Sequence, residues 1–575
     1  MNYGKIVIVM DISGLSIHPR PSLKRKSFYS LNGTWNYEIL DKNNKRINKD
    51  DTLVVPFSPE CQNDKHILKP DETLIYKKSF KVKKEELGKV LLLHFIAIDQ
   101  IAEIYFNDEL VSTHIGGFLP IDVEIRNYKE ENNLKIVVKD LTDSSYHSRG
   151  KQKLKSGGIF YTPQSGIYMP VYYEIVNDNY IKDIKFTPDV DSSSLKIFIK
   201  TDKETDAKIS FENMSFDITT NKENIIKIPN VKLWSIDNPF LYECEIKTDS
   251  DLVSSYFAFR KISVVKDALG HKRIALNDKP LYLSGVLDQG YYKDGLLTPN
   301  SFDEYLEDIR LLKDLGFNFL RKHIKIEPDI FYYYCDKLGM LVMQDFVNGG
   351  GKYKFFTISV PLVSHKHLDD HLYKKFARSD KEGRDEFINE AKETVSLLYN
   401  HPSIFSWTIF NEGWGQFDSK EVYKEIVKLD NSRLIDHASG WHDQGISDFK
   451  SDHVYFRKYK LPKEKTIKDR IVFLSEFGGY SCKLGDSSFR KFGYKTFKNK
   501  DSLTSGIVSL FDEQIKPAIK GGLSISVYTQ LSDVEGEING FVTFDHRQIK
   551  VDVERIKQAN LRLYDEFDRL SFTNK

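Results

Sequence analysis

The sequence predicts a multidomain protein with an N-terminal β jelly roll, an immunoglobulin-like β-sandwich and a C-terminal (β/α)8 TIM barrel. Three observations support this prediction. The chain has 575 residues, which is more than one hydrophobic core usually serves. Short β-rich runs fill its first half, and strand-like and helix-like segments alternate after Pro280. We assign residues 1–178 to the jelly roll, 179–265 to the sandwich and 266–575 to the barrel.

The N-terminal segment has the pattern of a sheet-on-sheet domain. Residues 91–98 and 102–106 are rich in β-branched and aromatic residues, and Asn107-Asp108 is typical of a turn after the second run. No long helical period occurs before residue 180. These features predict a β-sandwich or jelly roll.

The next segment, of about 85 residues, predicts a second and smaller β-sandwich. Residues 195–199 and 242–246 alternate apolar and polar side chains, and turn residues recur between such runs. Trp234 is expected in the core of this domain or at its junction with the barrel.

The last segment alternates strands with helices, as a TIM barrel does. Ser301 and Glu304 form a capping-box pattern that opens a helix, and Gly316 follows its end. Strand-like runs lie at 281–286, 317–320, 341–343, 404–410, 434–436, 471–474 and 523–528, and helical runs at 301–314, 328–338, 384–399, 418–429, 505–519 and 552–566. The count is close to eight βα units.

Composition and charge exclude several functional classes. The 84 basic and 83 acidic residues leave a net charge of +1, which favours neither nucleic acid nor a membrane surface as partner. The four cysteines lie far apart, which argues against a disulfide framework and favours a reducing, cytoplasmic location. The apolar run 5–10 is too short for a secretory signal. No phosphate-binding glycine motif stands in a strand–helix context, and we expect no cofactor.

Two glutamates follow apolar strands at equivalent positions of the predicted barrel. Glu412 ends the fourth strand and Glu476 the seventh, and each is followed within three residues by glycine. Because a barrel carries its active site at the C-terminal strand ends, both carboxylates are expected to face one pocket. Two facing carboxylates are what glycoside hydrolysis requires. We predict Glu412, set between Phe410 and Trp414, as the proton-retaining general acid/base and Glu476 as the ionised nucleophile. A single such glutamate would more often be an ordinary loop carboxylate.

The motifs around both glutamates resemble those of glycoside hydrolase family 2, which includes β-galactosidases, β-glucuronidases and β-mannosidases. Residues 401–412 (HPSIFSWTIFNE) resemble the acid/base signature, and 474–479 (LSEFGG) resemble the nucleophile signature. Further resemblances extend the likeness over nearly the whole chain: LNGTW at 31–35, VPF at 55–57, HIGGF at 114–118, GGIFYTPQSGIY at 157–168, FAFR at 257–260 and LSGV at 283–286.

The resemblance implies an exo-acting retaining β-glycosidase and roles for further strand-end residues. Asn411 is expected to bind the sugar 2-hydroxyl, and Arg321 to support the nucleophile or contact sugar. The other predicted substrate-binding residues, for which packing or capping roles are the alternative, are Asp288, His323, Asp345, Trp441, Tyr455 and Tyr528, with Gln530 as a weaker candidate.

The expected partner is a small-molecule glycoside or oligosaccharide, and a homo-oligomer is compatible with the sequence. A β-galactoside is the favoured substrate. Residues 536–547 lack the Asn-x-Lys motif with which family β-glucuronidases hold a carboxylate, and 286–295 depart from the Asn-Arg-His pattern of well-known β-galactosidases. The alternatives are a β-glucuronidase or other β-glycosidase, an inverting hydrolase, and a non-catalytic carbohydrate-binding protein. His365, His367, Asp369, Asp370 and His371 have metal-ligand chemistry, but no second cluster accompanies them, and we predict no metal site.

Overall fold

The computed structural model describes residues 12–62, 64–362, 367–484, 492–570 and 572, with the side chain of residue 362 left out. Their strands and helices form the three predicted kinds of structure in the predicted order. The apolar run 5–10 lies outside the described residues.

The N-terminal domain consists of two antiparallel sheets that enclose one apolar core. The six-stranded sheet contains, in spatial order, Thr52–Val55, Gly33–Leu40, Thr73–Lys81, Glu131–Lys139, Ile101–Phe106 and Glu109–Ile115. The four-stranded sheet contains Phe28–Ser30, Val171–Val176, Val90–Phe95 and Ile121–Ile125, and a two-stranded ladder joins Ile98–Asp99 to Gly166–Ile167. Asn107 and Asp108 adopt positive φ between two paired strands, which confirms the predicted turn.

The middle domain is a smaller sandwich with its own core. One sheet contains Asp183–Asp189, Ser194–Lys200 and Glu223–Lys227, and the other contains Met214–Thr219, Asp206–Phe211, Tyr242–Thr248 and Leu252–Phe257. A third sheet of Ile262–Lys266, Lys272–Leu276 and Lys279–Pro280 leads to the barrel.

The C-terminal domain is a nearly closed barrel of eight parallel strands. They are β1 (Leu283–Asp288), β2 (Phe319–Lys322), β3 (Leu341–Asp345), β4 (Ile404–Thr408), β5 (Leu434–Asp436), β6 (Phe449–Val454), β7 (Ile471–Gly478) and β8 (Leu523–Thr529). Hydrogen bonds join them in the order β5-β4-β3-β2-β1-β8-β7-β6. The predicted fourth and seventh strands are confirmed. The sequence pattern did not identify β6, because Lys450, Ser451 and Asp452 interrupt its apolar character.

Helices connect the strands on the outside of the barrel. They are α1 (Phe302–Asp314), α2 (Asp329–Leu338), α3 (Phe355–Ile358), α4 (Lys381–Leu398), α5 (Ser419–Leu429), α6 (Glu464–Ile467), α7 (Lys500–Leu510), α8 (Lys516–Lys520) and α9 (Val553–Asp568). The helix predicted near 505–519 is confirmed: residues 500–520 are helical without a break, and a π-helical turn, Phe511–Ile515, lies between α7 and α8. Pro517 has no N–H to continue the regular α-helical ladder there.

The predicted start of α1 is confirmed, but the capping bonds differ from a capping box. The Ser301 hydroxyl accepts from the N–H of Asp303, and the Glu304 carboxylate accepts from the N–H of Asn300 at 3.1 Å. Both side chains therefore satisfy free N–H groups near the helix start, each one residue away from the expected partner.

Trp234 joins the sandwich to the barrel. It is fully buried in the apolar cluster that closes the N-terminal end of the barrel, and its Nε1 donates to the carbonyl of Asp336 in α2 at 2.7 Å. Trp234 is therefore a junction residue, one of the two roles expected for it.

A loop of the jelly roll, residues 140–165, reaches the C-terminal face of the barrel. Its Thr162 N–H donates to Glu535 at 2.7 Å, and its Arg149 guanidinium donates to the carbonyl of Gly351 at 3.0 Å. The N-terminal domain therefore forms part of the wall around the barrel's open end.

None of the described helices combines the length and apolar composition that a membrane span requires. All four cysteines are free and buried, which confirms the expectation that they form no disulfide framework.

Candidate active site

The two predicted catalytic glutamates meet at the C-terminal face of the barrel. Glu412 follows β4 with φ of 50°, and its N–H donates to the carbonyl of Ser439 at 2.9 Å, which fixes the backbone to the segment after β5. Glu476 lies near the end of β7. One carboxylate oxygen of each glutamate and one ring nitrogen of His453 lie within 4.8 Å of one another. The fold thus brings both carboxylates to one point.

The carboxylate of Glu476 is buried, accepts hydrogen bonds from two side chains and lies beside a histidine ring. Arg321 Nη1 lies 3.1 Å from Oε1, His453 Nε2 lies 3.5 Å from the same oxygen, and the Tyr455 hydroxyl donates to Oε2. Burial by itself raises the pKa of this carboxyl, but the charges of His453 and Arg321 outweigh burial and lower it to about 2. Glu476 is therefore ionised at neutral pH.

Glu412 is paired with a histidine. His453 Nδ1 lies 2.8 Å from Oε1 of Glu412, whose side chain is 13% exposed. Phe410 packs against Phe387 in the barrel wall, with ring centroids 4.9 Å apart. That Phe410 and Trp414 flank the acid stays a prediction.

Arg321 connects three of the predicted site residues. Its Nε lies 2.9 and 3.2 Å from the two oxygens of Asp345, and its Nη2 donates to Oδ1 of Asn411 at 2.9 Å. Asp345 also contacts His323 Nδ1 at 2.9 Å. Arg321, at the end of β2, therefore orients Asp345, Asn411 and Glu476 together.

His323 is a neutral imidazole at physiological pH. Burial lowers its pKa most, the charge of Lys151 lowers it further, and the value falls to about 4 despite the nearby carboxylates. A neutral ring that is held by Asp345 suits hydrogen bonding to a sugar hydroxyl.

Of the predicted aromatic residues, one lies beside Glu476 and another beside His453. Tyr455 stacks on Tyr494 with centroids 3.9 Å apart while its hydroxyl contacts Glu476. The Trp441 ring lies 5.2 Å from that of His453, and its buried indole N–H has no partner among the described residues.

The structure does not bring Asp288 and Tyr528 against the predicted catalytic carboxylates. The Asp288 carboxylate pairs with Lys322 at 2.6 Å and accepts from the N–H of Gly290 at 2.9 Å. Tyr528 packs against Phe477 and Phe541. Side chains alternate along a strand, so that the next residue, Thr529, is the one that contacts Tyr455. Gln530 binds Gln289 and Asn539 beside β8.

His453 contacts both predicted catalytic glutamates, and the sequence pattern did not single it out. It precedes Tyr455 by two residues, and alternate residues of a strand face the same side. That spacing at the end of β6 was the available signal. Lys151, on the jelly-roll loop, gave no local signal, because only the tertiary structure places it near the barrel.

The histidine- and aspartate-rich segment is partly described. His371 is exposed and contacts Asp369 at 2.6 Å, whereas Asp370 accepts from Gln416 at 3.0 Å. His365 lies outside the described residues, and the predicted absence of a metal site stays a prediction.

Three sequence models of one family match consecutive parts of the chain. The galactose-binding domain-like model of glycosyl hydrolase 2 matches residues 56–165, the glycosyl hydrolases family 2 model matches 179–260, and the family 2 TIM barrel model matches 264–473. Together they cover more than half of the chain.

Curated relatives carry two activity names. A β-glucuronidase of Streptococcus agalactiae is 25% identical over 519 residues, which are 79% of this chain and 83% of that protein. A β-galactosidase of Thermoanaerobacter pseudethanolicus is 28% identical over 382 residues, 62% of this chain. This chain spans about half the length of that β-galactosidase, 47%.

Solved structures share the whole fold. A β-glucuronidase from an uncultured Clostridium superposes with a TM-score of 0.73 at 19% identity, covering 94% of this chain and 99% of its own. A galacturonate-bound β-galacturonidase from Eisenbergiella tayi gives 0.70 at 18% identity, covering 95% and 99%. The three domain matches show that the chain, whose fold these structures share, belongs to glycoside hydrolase family 2.

Proposed function

We propose that this chain is a retaining exo-β-glycosidase in which Glu476 is the nucleophile and Glu412 the general acid/base. The observation that carries the proposal is the approach of the two carboxylates, with one oxygen of each within 4.8 Å of the other. Retaining glycosidases hold their carboxyl groups about 5–5.5 Å apart, whereas inverting enzymes need about 6.5–9.5 Å to admit a water molecule. The short separation favours retention over inversion.

The reaction has two displacements. Glu476 attacks the anomeric carbon as the bond to the aglycone oxygen breaks, and the proton of Glu412 neutralises that oxygen. Ionised Glu412 then removes a proton from water, which attacks the anomeric carbon and releases Glu476. Sugar and aglycone leave, one water is consumed, and both carboxyl groups regain their starting protonation.

Asn411 is positioned to act on the sugar rather than only on the protein. Arg321 occupies its Oδ1, while its Nδ2 has no partner among the described residues. The amide N–H groups are therefore free to donate to a hydroxyl of the bound sugar, and the 2-hydroxyl is the proposed acceptor.

A β-galactoside is the proposed sugar on sequence grounds, with a β-glucuronide or another β-glycoside as the alternative. The relatives include both a β-galactosidase and a β-glucuronidase, so that both a β-galactoside and a β-glucuronide are retained as candidate substrates. A cytoplasmic location and a homo-oligomer also stay predictions.

The test is a panel of 4-nitrophenyl glycosides of both anomers, run on the wild type and on Glu476→Ala and Glu412→Ala. We expect turnover of a β-glycoside, loss of turnover in Glu476→Ala, and restoration of Glu412→Ala by azide. The first-released anomer, read by NMR, is expected to retain the β configuration. Turnover that survives Glu476→Ala, or an α first product, would refute the mechanism. A chain that binds sugars and turns none over would be a carbohydrate-binding protein.

A further inference from the structure

One buried lysine near the active site lacks the partner that every other buried lysine has. Among the described residues, five lysines are buried. Four have a carboxylate within hydrogen-bond distance: Lys322 with Asp288 at 2.6 Å, Lys325 with Glu327 at 2.8 Å, Lys450 with Asp452 at 3.0 Å and Lys550 with Asp533 at 2.6 Å. Lys151, 6% exposed, has neither a carboxylate nor a hydrogen-bond acceptor within reach of its ammonium group among those residues.

The position of Lys151 is set by the jelly-roll loop, which is tied to several barrel loops. On one side of Lys151, His147 Nδ1 contacts Glu386 at 2.7 Å and Arg149 donates to the carbonyl of Gly351. On the other side, Thr162 donates to Glu535. Because both flanks of the loop are bonded to the barrel, the backbone of Lys151 has a fixed position relative to the barrel.

The ammonium group of Lys151 lies in the wall of the active site. Its Nζ is 5.8 Å from the ring centroid of Trp414, two residues after the acid/base, and 5.6 Å from that of Tyr161. Its charge also acts on the buried ring of His323, at the end of β2. The cation therefore stands near the residues that follow β2 and β4.

The neighbouring carboxylates are already occupied. Asp345 is shared by Arg321 and His323, and Glu537 accepts from the Tyr161 hydroxyl and from Asn539 at 3.1 Å. The side chain of Lys151 is largely buried, so that its ammonium group is poorly hydrated without a counter-charge, and the aromatic rings beside it compensate only part of that cost. An anionic group from a ligand would supply the missing partner.

We propose that Lys151 is a specificity-determining residue that binds an anionic substituent of the substrate sugar, either the carboxylate of a uronic acid or a sulfate ester. This inference rests on the proposed glycosidase function and deepens it, because it places part of the substrate recognition on the N-terminal domain. A galacto-configured uronic acid has both the negative charge that would pair with Lys151 and the galacto configuration that the sequence favours.

The test compares matched substrates that differ in charge: 4-nitrophenyl β-galactoside, β-galacturonide and β-galactoside 6-sulfate, with the β-glucoside and β-glucuronide pair beside them. The enzymes are the wild type, Lys151→Met, Lys151→Arg and the control Lys155→Met, which removes the same charge from an exposed position of the same loop. The two anionic galactosides separate carboxylate from sulfate recognition.

We expect the wild type to prefer one anionic substrate over its neutral match by about 10- to 100-fold in kcat/KM, the usual effect of one hydrogen bond to a charged group. Lys151→Met is expected to remove that preference by lowering kcat/KM for the anionic substrate alone. Lys151→Arg should keep part of it, and Lys155→Met all of it. A wild type that prefers the neutral sugars, or a Lys151→Met variant that loses both activities equally, would overturn the inference.

A binding measurement separates this inference from the proposed function. Calorimetry measures the binding of free galacturonate and galactose and needs no turnover. It is applied to the wild type, Lys151→Arg and Lys151→Met. Melting curves show whether each variant is folded. If no glycoside is hydrolysed but galacturonate binding depends on Lys151, the proposed function fails and the anion site stands. If glycosides are hydrolysed and galacturonate binds no better than galactose, the anion site fails and the proposed function stands. If Lys151→Met does not fold, the test is the preference for the anionic substrate in Lys151→Arg and in Lys155→Met. A smaller preference in Lys151→Arg than in Lys155→Met supports the anion site, and equal preferences overturn it.

Discussion

His453 lies between the two proposed catalytic carboxylates and contacts both, with Nδ1 2.8 Å from Oε1 of Glu412 and Nε2 3.5 Å from Oε1 of Glu476. The Ser439 hydroxyl lies 3.2 Å from the same Nε2. One imidazole therefore joins the proposed acid/base to the proposed nucleophile, and its charge lowers the pKa of Glu476.

Replacing His453 should shift the pH profile of catalysis. Its positive charge is the largest of the influences that lower the pKa of Glu476. In His453→Asn the pKa of Glu476 should rise, so that kcat/KM falls at a higher pH on the acid side than in the wild type. We expect a loss of about 10- to 100-fold at neutral pH. The measurement is kcat/KM from pH 4 to 9 on the active β-glycoside, and an acid limb that does not move would exclude this role.

The hydroxyl of Tyr455 should matter for rate and hardly for stability. Tyr455→Phe keeps the stack on Tyr494 but removes the donor to Glu476. Loss of a hydrogen bond to a charged group predicts a fall of about 10- to 100-fold in kcat with a nearly unchanged melting temperature. Tyr459→Phe is the matched control, because the buried Tyr459 hydroxyl has no partner among the described residues. Equal effects of the two substitutions would contradict the assignment.

Arg321 should be needed for stability as well as for activity. It is fully buried and contacts Asp345, Asn411 and Glu476. Arg321→Met leaves two buried carboxylates without their cation, which should lower the free energy of unfolding by about 3–5 kcal/mol. Chemical denaturation measures this loss. Adding Asp345→Asn should recover part of the stability, and a double variant that is no more stable than the single one would argue against the pairing.

His401 should make stability depend on pH far from the active site. Burial by itself lowers its pKa, but Asp336 at 2.8 Å and Asp329 at 3.0 Å outweigh burial and raise it to about 9. A raised pKa stabilises the fold fully below the unfolded value of about 6.5, and this contribution is lost as the pH rises towards 9. The contribution is at most about 3 kcal/mol.

The melting temperatures of the wild type and of His401→Gln test this expectation between pH 6 and 10. The difference between them should be largest near pH 6 and should shrink as the pH approaches 9. Other histidines with raised pKa values, such as His94 and His546, are present in both proteins and cancel in the comparison. A difference that is constant with pH would refute the titration of His401.

Local sequence patterns determined the architecture and the identity of the two glutamates. The local signals are the period-two alternation, the helix start at Ser301 and the order of apolar strands. The structure contains each of these features. Glu412 and Glu476 were found because an apolar strand leads into each of them, and parallel strands that close into a barrel must end at one face.

The tertiary structure alone decided which charges meet. Asp288, at the end of β1, and Asp345, at the end of β3, have the same pattern in the sequence, yet the first pairs with Lys322 and the second with Arg321. Lys151 is about 260 residues from Glu412 in the chain and reaches the site only because the jelly-roll loop folds over the barrel. Electrostatic interactions depend on distance in space and on burial, and a local sequence pattern gives neither. The hydrophobic pattern that selects strands and helices depends only on the order of the residues, and can therefore be read from the sequence.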